Sequence, residues 1–427
     1  MSVLEERLAG VIPGLREEAK SLAKEHGTKV ISQVTVSQVY GGMRGVRGLL
    51  CDTSSVEPET GLKIRGRPVK ELVDCSPEDI IHLLLLGELP DPVTKRDIQA
   101  DLAARREVPE NVWKVLDALP EETHPMTMLS VGLLAMQGES AFAKAYAKGI
   151  RKDEYWRSTL EDALDIIARI TVLAAGIYRK RFNKGPRIPG DKKLPLALNF
   201  ARMLGVEDTS GEFADLMRLY LVLHSDHESG NVSAATTATV NSALSDLYYS
   251  LSAGLNGLAG PLHGLANQEC LKWVLMVHER FGGVPSLEEI EKFAWETLEA
   301  GKVIPGYGHA VLRVTDPRFE AFFDFGKKYC MQDEIFQTVV RIFETVPNVL
   351  RQVKKIKDPW PNVDAISGSL LYHYGVTEFP FYTVLFGVSR AIGVTCQAVL
   401  ARALGMPIIR PKSVTTQWLK QEVAKKD

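Results

Sequence analysis

Cysteine is sparse in this 427-residue chain, and its five copies, Cys51, Cys75, Cys270, Cys330 and Cys396, lie far apart with no C-x-x-C pair. That spacing indicates neither a disulfide framework nor a structural zinc site, and it fits inert thiols in a reducing compartment. An excess of either charge is also missing. The formal net charge is −2, so no basic field covers the molecule and general nucleic-acid binding is not expected. There is no G-x-G-x-x-G, no P-loop and no alternating βαβ pattern, which disfavours dinucleotide and nucleotide-triphosphate folds. No repeat or low-complexity segment stands out. The opening Met1-Ser-Val-Leu-Glu-Glu-Arg-Leu8 has neither the apolar core of a secretory signal nor the acid-poor character of a mitochondrial presequence. The expectation is a cytoplasmic protein, the alternative being the mitochondrial matrix after removal of a presequence.

What is present is helical periodicity. Apolar residues make up 45% of the chain and charged residues 24%, the balance of a soluble protein with a large core in one or two domains. In Ser76-Pro-Glu-Asp-Ile-Ile-His-Leu-Leu-Leu-Leu-Gly87, Ser76 stands at the N-cap, Pro77 at the first helical position and Gly87 at the stop. Ser286-Leu-Glu-Glu289 is a capping box, followed by Ile290, Phe293, Ala294 and Leu298 on one face. Strand signals are few. The best is a hairpin around Glu57-Pro-Glu-Thr-Gly61, flanked by Gly48–Cys51 and Leu62–Ile64. Two apolar stretches, Leu244–Leu265 and Val384–Leu404, carry charged or helix-breaking residues and read as core helices, so no membrane is expected. The predicted fold class is all-α with at most a small β-hairpin.

Four clusters and two arginines have the residue types that chemistry needs. In Pro305-Gly306-Tyr307-Gly308-His309, the glycines let backbone approach a ligand and His309 can exchange a proton near neutral pH. Arg313 and Arg318 follow, Arg318 after an Asp316-Pro turn that would fix its aim at a carboxylate. A surface loop with solvated arginines is the plain alternative. In Gly257-Leu-Ala-Gly-Pro-Leu-His263-Gly, Pro261 is expected to open a helix with His263 in its first turn. There the helix dipole would keep the imidazole neutral and a hydrogen-bond donor, although a core histidine fits the same pattern. His224-Ser-Asp-His227-Glu-Ser-Gly-Asn231 raises a metal pair, but no third ligand accompanies it, so contact of His227 and Asn231 with a substrate carboxylate or carbonyl is preferred. Asp364, framed by Pro359-Trp-Pro-Asn-Val, reads as a rigid, partly desolvated base or as a helix-capping aspartate. Upstream, Lys354, Lys355 and Lys357 form a short basic run. Arg390, inside the second apolar stretch, has no acid within four residues and needs a partner from elsewhere. Arg410 sits in Pro407-Ile-Ile-Arg-Pro-Lys-Ser413.

Taken together, Gly306-Tyr-Gly-His309, Asp316-Pro-Arg318, Leu258-Ala-Gly-Pro-Leu-His263-Gly, His224-Ser-Asp-His227-Glu and Pro359-Trp-Pro-Asn-Val-Asp364 resemble the citrate synthase family in its eukaryotic, dimeric form. The likeness runs from Tyr40-Gly-Gly-Met-Arg-Gly45 to Arg410-Pro-Lys-Ser413. It implies an enzyme that condenses acetyl-CoA with oxaloacetate and hydrolyses citryl-CoA, with no cofactor and no metal. Catalysis would fall to His263, His309 and Asp364, and oxaloacetate to His227, Asn231, Arg318, Arg390 and Arg410. The last would come from the partner subunit of a homodimer. Coenzyme A would meet Arg44, Lys152, Arg313, Lys355, Lys357 and the loop Val303, Pro305, Gly306, Tyr307 and Gly308. Lys152 keeps the charge of a family arginine but not its fork. The implied domains are 1–265 and 379–427, forming a large body, and 266–378, a smaller unit that closes over the site. Ala235 and Ile366 depart from histidines common in animal members. The alternative within the family is a 2-methylcitrate synthase using propionyl-CoA. The alternative outside it is a non-catalytic CoA- or metal-binding helical protein.

Overall fold

A computed structural model describes residues 2–309 and 311–425. Its elements are almost all helices. The first half holds α1 (Val3–His26), α2 (Val36–Tyr40), α3 (Pro77–Leu86), α4 (Pro92–Ala104), α5 (Glu110–Asp117), α6 (Pro125–Ala135), α7 (Ala141–Ala147) and α8 (Tyr155–Arg181). Next come α9 (Leu196–Leu204), α10 (Glu212–Leu223), α11 (Val232–Ser242) and α12 (Leu247–Leu258). The second half adds α13 (Ala266–Phe281), α14 (Leu287–Glu299), α15 (Pro317–Tyr329), α16 (Glu334–Arg351), α17 (Asp364–His373), α18 (Tyr382–Ala403) and α19 (Thr416–Val423). The all-α expectation holds.

Local chemistry explains the boundaries. Ser76 and Asp79 close a reciprocal capping box on α3, Pro77 needs no donor at the first position, and Gly87 ends the helix at φ 82°. The same reciprocity between Ser286 and Glu289 starts α14, whose Ile290, Phe293 and Ala294 are buried. The hairpin differs from its prediction. β1 is Ser54–Glu57 rather than Gly48–Cys51, pairing antiparallel with β2 (Gly61–Ile64), and a two-residue β3 (Arg67–Pro68) pairs with β2. The tight turn fixes Glu57 opposite Gly61, and the register runs out at Ser54 opposite Ile64, so residues 48–51 lie beyond the ladder.

α18 is the axis of the body. It packs against α8, α3, α11 and α12, and it is buried along nearly its whole length. It is the one described helix long and apolar enough to cross a membrane, but 83% of that apolar window is covered by protein. Helices α13 to α17 pack mainly on one another, with α13 and α15 both against α17. The apolar stretch Leu244–Leu265 yields only α12. A turn of residues 260–263 follows it, and α13 starts at Ala266. Pro261 therefore does not open a helix. Gly260 O accepts the N–H groups of His263 and Gly264, tightening the turn, and a Cβ on Gly264 would sit 2.2 Å from Leu258 O.

Close approach at Gly393 of α18 brings this axis to the loop after α10. Its N–H donates to Ser225 O at 3.1 Å, and a Cβ there would lie 2.3 Å from that oxygen and 2.6 Å from Asp226 Oδ1. Gly393→Ala is expected to destabilise the fold by about 1–3 kcal/mol through overpacking. Thermal unfolding measures this, and an unchanged midpoint would contradict the packing described.

Candidate active site

The loop after α10 carries the first histidine. α10 ends at Leu223, so His224 and His227 do not share a helical face. His224 stacks on Tyr220 with centroids 4.2 Å apart, and burial pushes its pKa down to about 3. It packs as a core histidine, and among the described residues no group of three metal-ligating side chains is found. His227 points elsewhere, its ring 5.8 Å from that of His309. Ser54 Oγ donates to Asp226 Oδ2 and accepts from Glu228 N, so β1 anchors the loop on both sides of His227.

Asn231, expected to meet the substrate, is bonded at both ends of its amide within the fold. Its Oδ1 accepts from Ala234 N as the N-cap of α11 and lies 2.9 Å from Ser233 Oγ, and its Nδ2 donates to His227 O and Glu228 O. The amide is committed to joining the His227 loop to α11, a demand that sequence spacing did not reveal.

His263 lies in the turn before α13. Ser233 N donates to its Nε2 at 3.2 Å, and Ser233 Oγ lies 2.9 Å away. A backbone N–H can only donate, so Nε2 is the acceptor and Nδ1 carries the proton. Burial and then the Arg390 charge lower the pKa to about 4. The imidazole is neutral at pH 7, but burial rather than a helix terminus makes it so. Ser233 had no signal in the sequence, because the contact spans thirty residues.

His309 is set by the same logic with the opposite nitrogen. Val311 N and Leu312 N both donate to Nδ1 at 3.1 Å, leaving Nε2–H as the donor. Burial, then Arg318, lower its pKa to about 4. Behind it the segment before α17 grips the loop. Gly308 N donates to Trp360 O at 2.9 Å, Asn362 N to Gly306 O at 2.9 Å, and Asn362 Nδ2 to Gly308 O at 3.0 Å. Gly306 and Gly308 have φ of 79° and 87°, and a Cβ on Gly306 would meet Ala365 Cα and Cys270 Sγ at 2.8 Å. Asn362 was not singled out from the sequence, although Pro-Asn-Val-Asp carries an Asx-turn signal: its Oδ1 accepts from Asp364 N.

Asp364 is the first residue of α17, with Val363 as the N-cap. Burial raises its pKa to about 6 despite the opposing pull of Arg318. Arg318 is buried and forks onto Asp316, with Nη2 2.7 Å from Oδ2 and Nε 3.1 Å from Oδ1. Asp316 also caps α15, so the cap and the arginine's aim are set by one carboxylate. Burial would raise Asp316, but Arg318 holds it below the usual carboxylate range. Arg390 of α18 finds the partner it needed in His224 O, at 3.3 Å, with the Phe386 ring 4.9 Å from its guanidinium. Its burial pulls the pKa down to about 10, and the nearby Asp226 charge opposes that.

His227, His263, His309, Arg318, Arg390 and Asp364 thus converge. The Arg318 charge acts on His227, His309 and Asp364, and the Arg390 charge on His227 and His263. Burial, then these two arginines, hold His227 well below its ordinary pKa. The remaining predicted positions lie outside this cluster. Arg44, Lys152, Lys355, Lys357 and Arg410 are exposed and form no hydrogen bond or ion pair with it among the described residues. Val303 is exposed, Pro305, Tyr307 and Gly308 are half-buried, and Gly306 is buried. Arg313 is exposed, and its Nη1 donates to Val311 O at 3.0 Å. Ile366 is fully buried beside Asp364, and Ala235 is half-buried on α11.

The family model described as "Citrate synthase, C-terminal domain" matches residues 42–412. The mitochondrial citrate synthase of Saccharomyces cerevisiae is 50% identical over 99% of this chain and 90% of its own length. The chain belongs to the citrate synthase family. A mitochondrial 2-methylcitrate synthase of Yarrowia lipolytica is 48% identical over 97% of this chain and 91% of its own. In fold, the crystal structure of citrate synthase from Pyrobaculum aerophilum matches with a TM-score of 0.79 and 26% identity, over 91% of this chain and 95% of that one. The reading as a carbon–carbon bond-forming enzyme stands over that of a non-catalytic binding protein. Both curated relatives are mitochondrial by name, which gives the cytoplasmic expectation no support.

A base at Asp364 must be ionised, and its raised pKa puts the loss of that form on the acid side. The acid limb of kcat/KM is expected near pH 6, falling about tenfold per unit below it, because His263 and His309 are already neutral there. A limb near pH 4 would contradict the desolvated carboxylate.

Proposed function

We propose that Asp364, His263 and His309 carry the condensation of acetyl-CoA with oxaloacetate, and that citryl-CoA is then hydrolysed to citrate. The observation that carries this reading is the pairing of a carboxylate raised to about 6 with two neutral imidazoles, each left one N–H to donate. Asp364 takes a proton from the methyl group of the thioester. The Nδ1–H of His263 donates to the enolate oxygen that develops as that proton leaves. The Nε2–H of His309 polarises the ketone of oxaloacetate and gives its proton to the oxygen as the carbon–carbon bond forms. A neutral donor suits both positions, since an imidazolium would compete with the methyl proton for the base.

Arg318 and Arg390 supply fixed positive charge for the two carboxylates of oxaloacetate, with His227 between them. Because Arg318 is already braced by Asp316 and Arg390 by His224 O, little side-chain order has to be gained on binding. Arg410 completes the set from the partner subunit of a homodimer. Arg44, Lys152, Arg313, Lys355 and Lys357, all exposed, would meet the phosphates of coenzyme A, and the Val303–Gly308 loop its adenine. Residues 266–378 close on the rest of the chain after oxaloacetate binds, which excludes water from the thioester. The three side chains and the two substrates suffice without a cofactor. The names of the relatives favour the mitochondrion as the compartment.

Propionyl-CoA is the second reading, favoured by the Yarrowia relative at nearly the same identity as the yeast enzyme. One methylene is worth about 1–3 kcal/mol, so a direct comparison is needed. Thiol release with oxaloacetate is expected to be faster for acetyl-CoA than for propionyl-CoA. Asp364→Asn is expected to lose at least about 10²–10⁴ in kcat while still binding oxaloacetate. A propionyl preference would transfer the assignment to the second reading, and near-normal turnover by the variant would remove Asp364 as the base.

A further inference from the structure

The chain between the end of α18 and α19 holds Arg410, yet very little holds that chain. Met406 N closes the helix end onto Ala401 O, and Thr415 caps α19. Between them, among the described residues, one hydrogen bond ties the backbone to the body: Ile409 N to Ser242 Oγ, at 3.0 Å. Ile409 is the neighbour of Arg410. The guanidinium itself is exposed and has no protein hydrogen bond among those residues.

Ser242 is a prepared acceptor. Its hydroxyl proton is spent on Thr239 O at 2.7 Å, which leaves the lone pairs facing the Ile409 amide. Ser242 is the last residue of α11, and the turn that follows is held by Arg402. That side chain is 5% exposed, and its Nη2 donates to Asn241 O at 2.6 Å, Asn241 Oδ1 at 3.0 Å and Ser245 O at 3.1 Å. The guanidinium lies 4.8 Å from the Phe142 ring centre, and no carboxylate is paired with it in these contacts. A buried arginine without an acid is costly unless carbonyls replace it, and here those carbonyls belong to the turn beside Ser242. Leu244, in the same turn, has a φ of 66°, a conformation the surrounding contacts must enforce.

We propose that Ser242 is a positioning residue for Arg410, fixing through Ile409 N the height at which that arginine leaves the body, with Arg402 holding the turn that presents Ser242. This rests on the reading of Arg410 as the arginine that reaches the oxaloacetate site of the partner subunit. It adds to that reading a tether that, among the described residues, sets the reach of the segment.

The test is steady-state kinetics on the intact enzyme for Ser242→Ala, Ser242→Thr, Arg410→Gln and the Ser242→Ala/Arg410→Gln pair. Ser242→Ala is expected to raise KM for oxaloacetate by about threefold to tenfold, the scale of one lost hydrogen bond, with KM for acetyl-CoA unchanged. Ser242→Thr keeps the acceptor oxygen and is expected to restore the KM. In the Arg410→Gln background, Ser242→Ala is expected to add nothing, because the group it positions is gone. If Arg410→Gln itself leaves KM for oxaloacetate unchanged, the underlying reading of Arg410 fails. If Arg410→Gln raises it but Ser242→Ala does not, or if the two effects multiply, the positioning role is overturned while the reading of Arg410 survives.

Discussion

His309, Arg318 and Asp364 all hang on one backbone splice, in which Gly306, Gly308 and Asp316 are bound by residues 360–362. Trp360 O receives Gly308 N, Pro361 O receives Asp316 N, and Asn362 both donates to Gly306 O and accepts from Asp364 N. One short segment therefore fixes the loop of His309, the start of the helix that carries Arg318, and Asp364 itself. Such a splice works only where side chains stand aside, and Gly306 is pressed against Ala365 and Cys270 for that reason. The prolines on either side of Trp360 have no N–H to leave unpaired, so the segment offers mostly acceptors to the loop it holds.

The second constraint is the absence of water around three titratable groups. Burial lowers two imidazoles and raises one carboxylate, which carries their pKa values past each other, to about 4, about 4 and about 6. In water the carboxylate would ionise first and the imidazoles would still be charged near pH 6. Inside the protein the Asp364 carboxyl titrates close to neutral pH and both imidazoles are uncharged there. The arginines act on this inversion in opposite senses: Arg390 and Arg318 push His263 and His309 further down, while Arg318 also holds Asp364 from rising more. In the proposed reading the same two arginines hold a dianionic substrate, which would couple substrate charge and proton chemistry through them.

Much of the fold was legible wherever the information is local. Ser76, Pro77 and Gly87 mark α3, and Ser286 with Glu289 marks α14, because caps act over three or four residues. His263, His309, Asp364, Arg318 and Arg390 were also singled out, each by the oddity of a polar group among glycines, prolines or apolar neighbours. What sequence could not supply was anything that depends on a distant partner. Asn231 looked free to meet a substrate, but both ends of its amide are used within the fold. Ser233, which decides the tautomer of His263, is ordinary in its own neighbourhood. The helix expected at Pro261 is a turn, because Gly260 and Gly264 allow the chain to fold tightly on Leu258. The hairpin's turn was found while its first strand was misplaced, since a ladder's length follows from register rather than from apolar runs.

The protein frame sets the protons on the two imidazoles before any substrate arrives. Nitrogen NMR of the histidine rings at pH 7 tests this directly, with His263 and His309 assigned by substitution. Two neutral rings of opposite tautomer are expected, His263 protonated at Nδ1 and His309 at Nε2. An imidazolium at either position, or the same nitrogen protonated in both, would contradict it.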